Sequence, residues 1–477
     1  MTHGQPPVTS PDDPGAASAA GRPATSAVGI ARDRATNIRW GVFGLALGTS
    51  WLLYLHRYVF AFIKPTLATE WGLSNTQLGQ LDSAFSVSYM LFQFPLGVAA
   101  DLAGVHLVLT GLMLAWFGGL ALVAWAPTVT VMWIGQAMHG AGQSAVYACL
   151  NRVARMWYAP AVRTTLQGAV GVLAGRLGAL SSSLVFTSLL LGVVGLDWRT
   201  AIWILVGVGV VQLLLFVVVF RNSPREHPAV NDVEARLIEG DSPATGPVSP
   251  PGPTNMSAVL RSTTPRSLFN LSCLAVQSVL STFADNIYSN WIPLFLAQVH
   301  GLEFKQMGVY SALPLLGGAI GGLVGGLLND YCIALTGSRR WSRVGVALVG
   351  KGLAAVLMFS ALGAYDRPYA FCVYLFFVKL FGDWSLTTSL GVVTDIGGRA
   401  TASVFAFNNS VAGVAFIAAP IAFGYIADHY SWRIVFGVVA ATYALCALSW
   451  LLINCTIPVV HESAANDGSN GQSCQQG

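Results

Sequence analysis

From Ile38 to Asn454 the chain is a succession of long apolar stretches separated by short polar breaks, and this constrains its fold more than any motif does. A helix of about twenty apolar residues spans the hydrocarbon of a bilayer. The expected class is therefore an all-α membrane protein with twelve transmembrane helices. They are expected near 38–62, 77–100, 105–125, 129–156, 165–190, 198–220, 268–297, 305–328, 342–364, 368–392, 400–427 and 432–454. Composition agrees: charged residues are 10% of the chain, against roughly 25% in soluble domains, and 14 Trp and 51 Gly accompany 54% hydrophobic residues. The net charge of +4 is spread over loops, which argues against a nucleic-acid partner.

Five segments follow. Residues 1–37, rich in Pro, Ala and Ser, and residues 455–477 read as cytoplasmic tails. Residues 38–220 and 267–454 are two six-helix halves, and the polar, Pro-rich stretch 221–266 is a cytoplasmic linker. Lys and Arg resist translocation. Arg152, Arg155, Arg163, Arg339, Arg340 and Arg343 fall in loops on the side of the tails, so both termini are expected in the cytoplasm and the protein in the cell (inner) membrane. The halves repeat: Pro65, Gly72, Gly79, Asp101 and Trp198-Arg199 recur at nearly constant spacing as Pro293, Gly301, Gly308, Asp330 and Trp432-Arg433. Parallel six-span repeats build transporters that hold solute near the midplane and rock to expose it to each side in turn. A glycine-rich nucleotide loop and paired metal-binding histidines are both missing, and the cysteines show no ligand spacing. Neither an enzyme, a cofactor nor a metal is expected.

The run GVAADLAG, Gly97 to Gly104, and its weaker copy GGLLND ending at Asp330 resemble the loop signature of the major facilitator superfamily. The pattern suits a latch: glycine admits a neighbouring helix, and a carboxylate at a helix end pairs with nearby arginines. Gly97, Asp101 and Asp330 are the latch candidates. The basic residues usual after the aspartate are here Leu102, Val105 and His106, which leaves Arg152, Arg155 or Arg163 as partners. More narrowly, YLHRYVFAFIKPTLATEWGLSNTQLG, FQFPLGVAAD, FRNSPREHPAVNDVE and NWIPLFLAQVHGL resemble the anion:cation symporter group, carriers of sugar acids and related carboxylates, many of them proton-driven. That resemblance implies an anion-binding role for Arg57. Where the group shows Arg and Glu in span four, this chain has Gln136 and Gln143. HGAGQS, His139 to Ser144, is similar instead to organophosphate antiporters.

An ionisable group at bilayer depth costs at least about 2.5–3.5 kcal/mol, so it should meet water or a partner. Of Arg57, Arg176, Lys351 and Lys379, Arg57 offers the forked donors that suit an acid group, or else it pairs or snorkels. Lys351, near the start of span nine, is expected to snorkel. Lys379 and Asp383, four apart, either neutralise each other or serve function. Arg176 and Lys379 are candidates for a second cation; Arg176 otherwise pairs, with Asp82 as one partner. Polar stripes at helical spacing point to a shared wet interior: Asp82, Ser86, Tyr89 and Gln93; Gln136, His139, Gln143 and Tyr147; and Gln277, Ser281, Asp285 and Tyr288. The bland alternative is interhelical hydrogen bonding. Tyr54, Gln136, His139, Gln143, Tyr147, Tyr288 and Asn408 join Arg57 as candidate substrate contacts. Asp285, with no cation within a helical turn, leads Asp82 and Asp383 as the proton-coupling group. The reading is a monomeric secondary transporter of a small organic anion, in contact with lipid and coupled to protons or another ion. Organophosphate exchange and a transporter-like sensor remain as alternatives.

Overall fold

The structure, a computed structural model, describes residues 34–239, 264–398 and 401–459. Most of the expected N-terminal and C-terminal tails and the middle of the linker lie outside the described residues. Among the described residues, eleven helices are long and apolar enough to cross a membrane. The remaining expected span, 129–156, is two shorter helices, Val129–Gln143 and Val146–Trp157, broken at Ser144 and Ala145, where Ser144 Oγ donates to the Ala141 carbonyl at 2.7 Å. Span seven is Pro265–Asn290 followed by Ile292–His300. Pro293 has no N–H to continue the helix, so the axis breaks at Trp291. Span ten breaks at Asp383, between Pro368–Gly382 and Trp384–Gly397.

Local sequence sets many boundaries. Ser74 and Gln77 form a capping box before span two (Asn75–Ala103). Thr128, Asp197, Thr264, Ser338 and Ser431 each cap a later helix. Span eight, Phe304–Thr336, ends on Gly337 at φ 65°, a left-handed conformation that favours glycine. Large apolar side chains such as Leu102, Val218, Leu323 and Leu327 stand exposed on the outside of the bundle, as lipid contact requires.

Packing repeats with the sequence. In the first half span one (Ile38–Glu70) packs on spans five (Thr165–Val193) and six (Trp198–Val219), span two on span four, and span three (Val105–Trp125) on spans four and six. In the second half span seven packs on spans eleven (Thr401–His429) and twelve (Trp432–Ser449), span eight on ten, and span nine (Arg339–Ala361) on ten and twelve. The chain is therefore two six-helix repeats. They meet along two equivalent seams, span two on eleven and span five on eight. Glycines bring backbone close to backbone at these seams. A Cβ on Gly79 would stand 2.4 Å from the Pro420 carbonyl oxygen, and one on Gly308 would stand 2.3 Å from that of Ser183.

The linker begins bolted to the first half. Glu234, on the helix Asp232–Glu239, accepts from Thr36 and from the N–H groups of Ile38 (3.1 Å) and Arg39 (3.0 Å) at the start of span one. Burial alone would raise the Glu234 carboxyl, but these hydrogen bonds outweigh it and hold it below the ordinary glutamate value.

Candidate functional site

The halves part toward one end of the bundle and close at the other. The open end carries the loops with Arg152, Arg155 and Arg163; a vestibule of about 620 Å³ rises from Asp101 and Gly97 to Arg57 at its apex. Tyr89, Gln93, Thr282, Asn409 and Phe416 line its walls. Beyond Arg57 lies a narrower cavity of about 100 Å³, faced by Tyr54, Tyr58, Ser86, Gln136, Ser289 and Asn290 and roofed by Asp82.

Arg57 joins the two spaces. Its Nε donates to Gln143 Oε1 at 3.0 Å, and Tyr54, Phe85 and Tyr89 surround the guanidinium with ring centres 5.2, 5.4 and 4.9 Å from its carbon. One terminal nitrogen is buried with no partner, and no carboxylate pairs with Arg57 among the described residues. Gln143 is held in turn, its Nε2 donating to the Leu53 carbonyl (3.1 Å) and to His139 Nε2 (2.8 Å). A guanidinium presented this way offers unused donors to an anion entering from the vestibule.

The roof is a buried ion pair. Lys64 pairs with Asp82, both in the first half, and also donates to the Asn290 carbonyl of span seven at 2.8 Å, with the Trp291 ring centre 4.1 Å away. Farther out, Asp428 of span eleven accepts from the N–H groups of Asn75 (2.9 Å) and Thr76 (2.7 Å) and from Thr76 Oγ1 (2.6 Å), capping span two from the opposite half. Gln298 bonds Asn75 at 2.9 Å and accepts from Trp432 at 3.1 Å. On the other seam Ser188 donates to the Lys305 carbonyl at 2.9 Å.

A second charged cluster sits in the other half. Asp285 accepts from Lys379 (2.9 Å) and Tyr443 (2.7 Å) on one oxygen and from Ser281 (3.3 Å) on the other, which lies 3.7 Å from Lys351. Lys379 also bonds Asp383 at 2.5 Å, and Arg176 reaches across from span five to the second Asp383 oxygen at 3.1 Å.

The sequence profile of the Major Facilitator Superfamily matches residues 46–366. The chain belongs to that superfamily. It is therefore a multi-pass membrane transporter, not an enzyme. Among similar superfamily members are a probable sulfoacetate transporter, SauU, of Cupriavidus necator (29% identical, covering 86% of this chain and 93% of that one) and the hexuronate transporter of Bacillus subtilis (26%, 79% and 85%). A probable galactarate/D-glucarate transporter, GarP, of Escherichia coli is 24% identical over 78% of this chain and 84% of its own. Solved superfamily structures share the fold. A D-xylose-proton symporter superposes with TM-score 0.68 at 14% identity, covering 87% of this chain and 98% of its own. An inward-facing, unoccupied bacterial homologue of the human lysosomal transporter Spinster gives 0.66 at 15%, covering 87% and 95%.

Within this superfamily frame several expectations need correction. Lys351 does not snorkel: it is 1% exposed and donates to Ser281 at 2.9 Å. Asp285 is not free of cations, because spans nine and ten supply two that spacing within span seven does not reveal. The partner of Arg176 is Asp383; Asp82 is taken by Lys64, a cation beyond the expected end of span one at residue 62. That span runs on to Glu70 because Ala61, Phe62, Ile63 and Leu67 are buried and keep the helix going. Of the two latch aspartates, only one has an arginine partner among the described residues. Asp101 pairs with Arg152, whereas Asp330 is exposed and meets only Asn329 at 3.3 Å, and Arg343 pairs instead with Asp395 at 2.9 Å.

Among the candidate contacts, Arg57, Tyr54 and Gln136 line the inner cavity, and Gln143 and His139 stand behind Arg57. Tyr147 bonds Ser50 at 2.8 Å, Tyr288 packs beside Lys379, and Asn408 turns to Ser278 at 2.9 Å, leaving Asn409 on the vestibule wall.

Proposed function

We propose that this chain carries a small organic anion across the cell (inner) membrane by alternating access, with the acid group on Arg57. The observation that carries the reading is an uncompensated guanidinium at the meeting point of two cavities between the halves. The curated relatives support an acid as solute, since their names give sulfoacetate, hexuronate and galactarate or glucarate. Residues 38–220 and 267–454 act as the rocking halves. The arginine-bearing end faces the cytoplasm, which makes the present arrangement inward-open. Arg57→Ala should lose uptake while inserting normally, and Arg57→Lys should retain little because the fork is gone. Near-normal uptake by well-expressed Arg57→Ala would sink the assignment.

Proton coupling belongs to the same proposal, with Asp82 as the coupling carboxylate in preference to Asp285 or Asp383. A coupling group must change surroundings as the halves rock. The cation partners of Asp285 sit in its own half, and Asp383 keeps Lys379 whatever Arg176 does. Lys64, by contrast, divides its contacts between Asp82 and the opposite half, so opening the roof alters what Asp82 faces. The variant Asp82→Asn, and the charge-balanced pair Asp82→Asn with Lys64→Met, should abolish accumulation driven by a pH gradient while sparing solute counterflow. Persistent gradient-driven accumulation by the folded double variant assigns coupling elsewhere, with Asp285 next.

A further inference from the structure

The charges at the centre of the protein do not balance, and the imbalance is specific. Arg57, Arg176, Lys351 and Lys379 face two carboxylates, Asp285 and Asp383. The lysines are buried, with side chains 1% and 9% exposed, and each is matched by a carboxylate: Lys351 by Asp285, Lys379 by Asp383 at 2.5 Å. Arg176 shares Asp383 with Lys379, and its side chain is 29% exposed, more than that of either lysine. If Arg176 turned away, Asp383 would keep its shorter bond to Lys379. Two guanidinium charges are therefore surplus, Arg57 and Arg176. An uncompensated charge at bilayer depth costs at least about 2.5–3.5 kcal/mol, so an arrangement carrying two of them is one that a bound solute completes.

The two arginines are also placed to act together. Both belong to the first half, on spans one and five, so their separation is held as the halves rock. Tyr54 lies between them: Arg57 stands over its ring at 5.2 Å, and Gly175, the residue before Arg176, packs so closely that a Cβ would come within 2.8 Å of that ring. Tyr58, one residue beyond Arg57 and 6.4 Å from Tyr54 ring to ring, lines the same inner cavity as both.

We propose that the transported solute is a small dianion, with one acid group on Arg57 and the other on Arg176, and with the phenols of Tyr54 and Tyr58 along its length. The acid groups are carboxylate, sulfonate or phosphate, each of which accepts a guanidinium fork. On binding, the second acid group replaces Asp383 on Arg176, and Asp383 falls back on Lys379. This rests on the reading of the protein as an organic-anion carrier and narrows it.

The test is ligand binding by purified full-length protein, read as thermal stabilisation and as competition in proteoliposome counterflow. The probes are malonate, succinate, glutarate and 3-sulfopropionate, each beside its mono-amide, together with a monoanionic sugar acid and neutral sugars. At least one dianion should bind roughly tenfold or more tightly than its mono-amide, the loss expected for one charge-assisted contact. In Arg176→Gln that ratio should fall to near unity, and Arg176→Lys should restore part of it; ligand-free melting and monodispersity identify any variant that has not folded. Mono-amides or the sugar acid binding as well as every dianion overturns the dianion inference but leaves the anion carrier standing, as does a ratio unmoved by Arg176→Gln. Failure of all dianions at millimolar concentration also overturns it. Binding of neutral sugars alone overturns the anion carrier itself.

Discussion

Removing the Asp428 carboxylate should tip the protein toward the state that opens on its other side. Asp428 caps the first turn of span two from span eleven with three hydrogen bonds of 2.6–2.9 Å. In the proposed alternating access those two helix ends separate when the halves part at that end, so the cap belongs to the arrangement described and is lost in the other. Span two keeps its own cap, Ser74, in either state, and the loss does not fray the helix. A helix cap is worth about 1 kcal/mol, and a carboxylate at a helix N-terminus adds about 0.3–1 kcal/mol, toward the low end for an exposed group. Asp428→Ala should therefore shift the equilibrium by about 1.5 kcal/mol, about tenfold. A cysteine at Ser289, in the inner cavity, reports the shift in a background with the native cysteines replaced. A membrane-impermeant maleimide added outside intact cells should modify it about tenfold faster in Asp428→Ala, with Asp428→Asn between the two because an amide oxygen still accepts. An unchanged or slower rate in folded Asp428→Ala would refute the clasp. Acceleration seen only from the cytoplasmic side would mean that the protein sits the other way round.

Two further outcomes follow from close contacts. A Cβ on Gly318 would stand 2.7 Å from Asp383 Oδ2 and 3.1 Å from an Arg176 nitrogen, so Gly318→Ala should cost about 1–3 kcal/mol and cut counterflow at least tenfold, whereas Gly322→Ala, with open space around it, should be silent. The Glu234 carboxylate has a lowered folded-state pKa, so its stabilisation is complete above the ordinary value of 4.5 and is lost as pH falls through the lower folded value. The melting difference between the parent and Glu234→Gln should accordingly be present at pH 6 and shrink below about pH 4.5. A difference that grows on acidification refutes the capping role.

Apolar length made the spans legible, and repeated landmarks made the two halves legible, because both are properties of residues close in sequence or of a fixed offset. Arg57 was legible for a similar reason: a lone guanidinium in an apolar helix has few explanations. What stayed hidden depends on contacts between helices far apart in the chain. Lys351 and Lys379 meet Asp285 from spans nine and ten, and no spacing within span seven shows it. Lys64 was missed because hydropathy marks where hydrocarbon length suffices and not where a helix stops, and span one continues two turns farther under cover of its neighbours. Asn408 and Asn409 are adjacent and chemically alike, so only the rotation of span eleven decides that one faces span seven and the other the vestibule.

The landmark glycines Gly79 and Gly308 occupy the two seams between the halves, each against a carbonyl of the other half. Where main chain meets main chain, few interlocking side chains have to withdraw if one surface turns on the other. In the proposed alternating access these glycine contacts would behave as plain bearings, and resistance to turnover would rest in the polar fastenings, Lys64 and Asp428 together with Ser83 and Ser188 on the seams themselves. A side chain at either glycine would act as grit in the joint: solute would still bind, and the machine would stall between strokes.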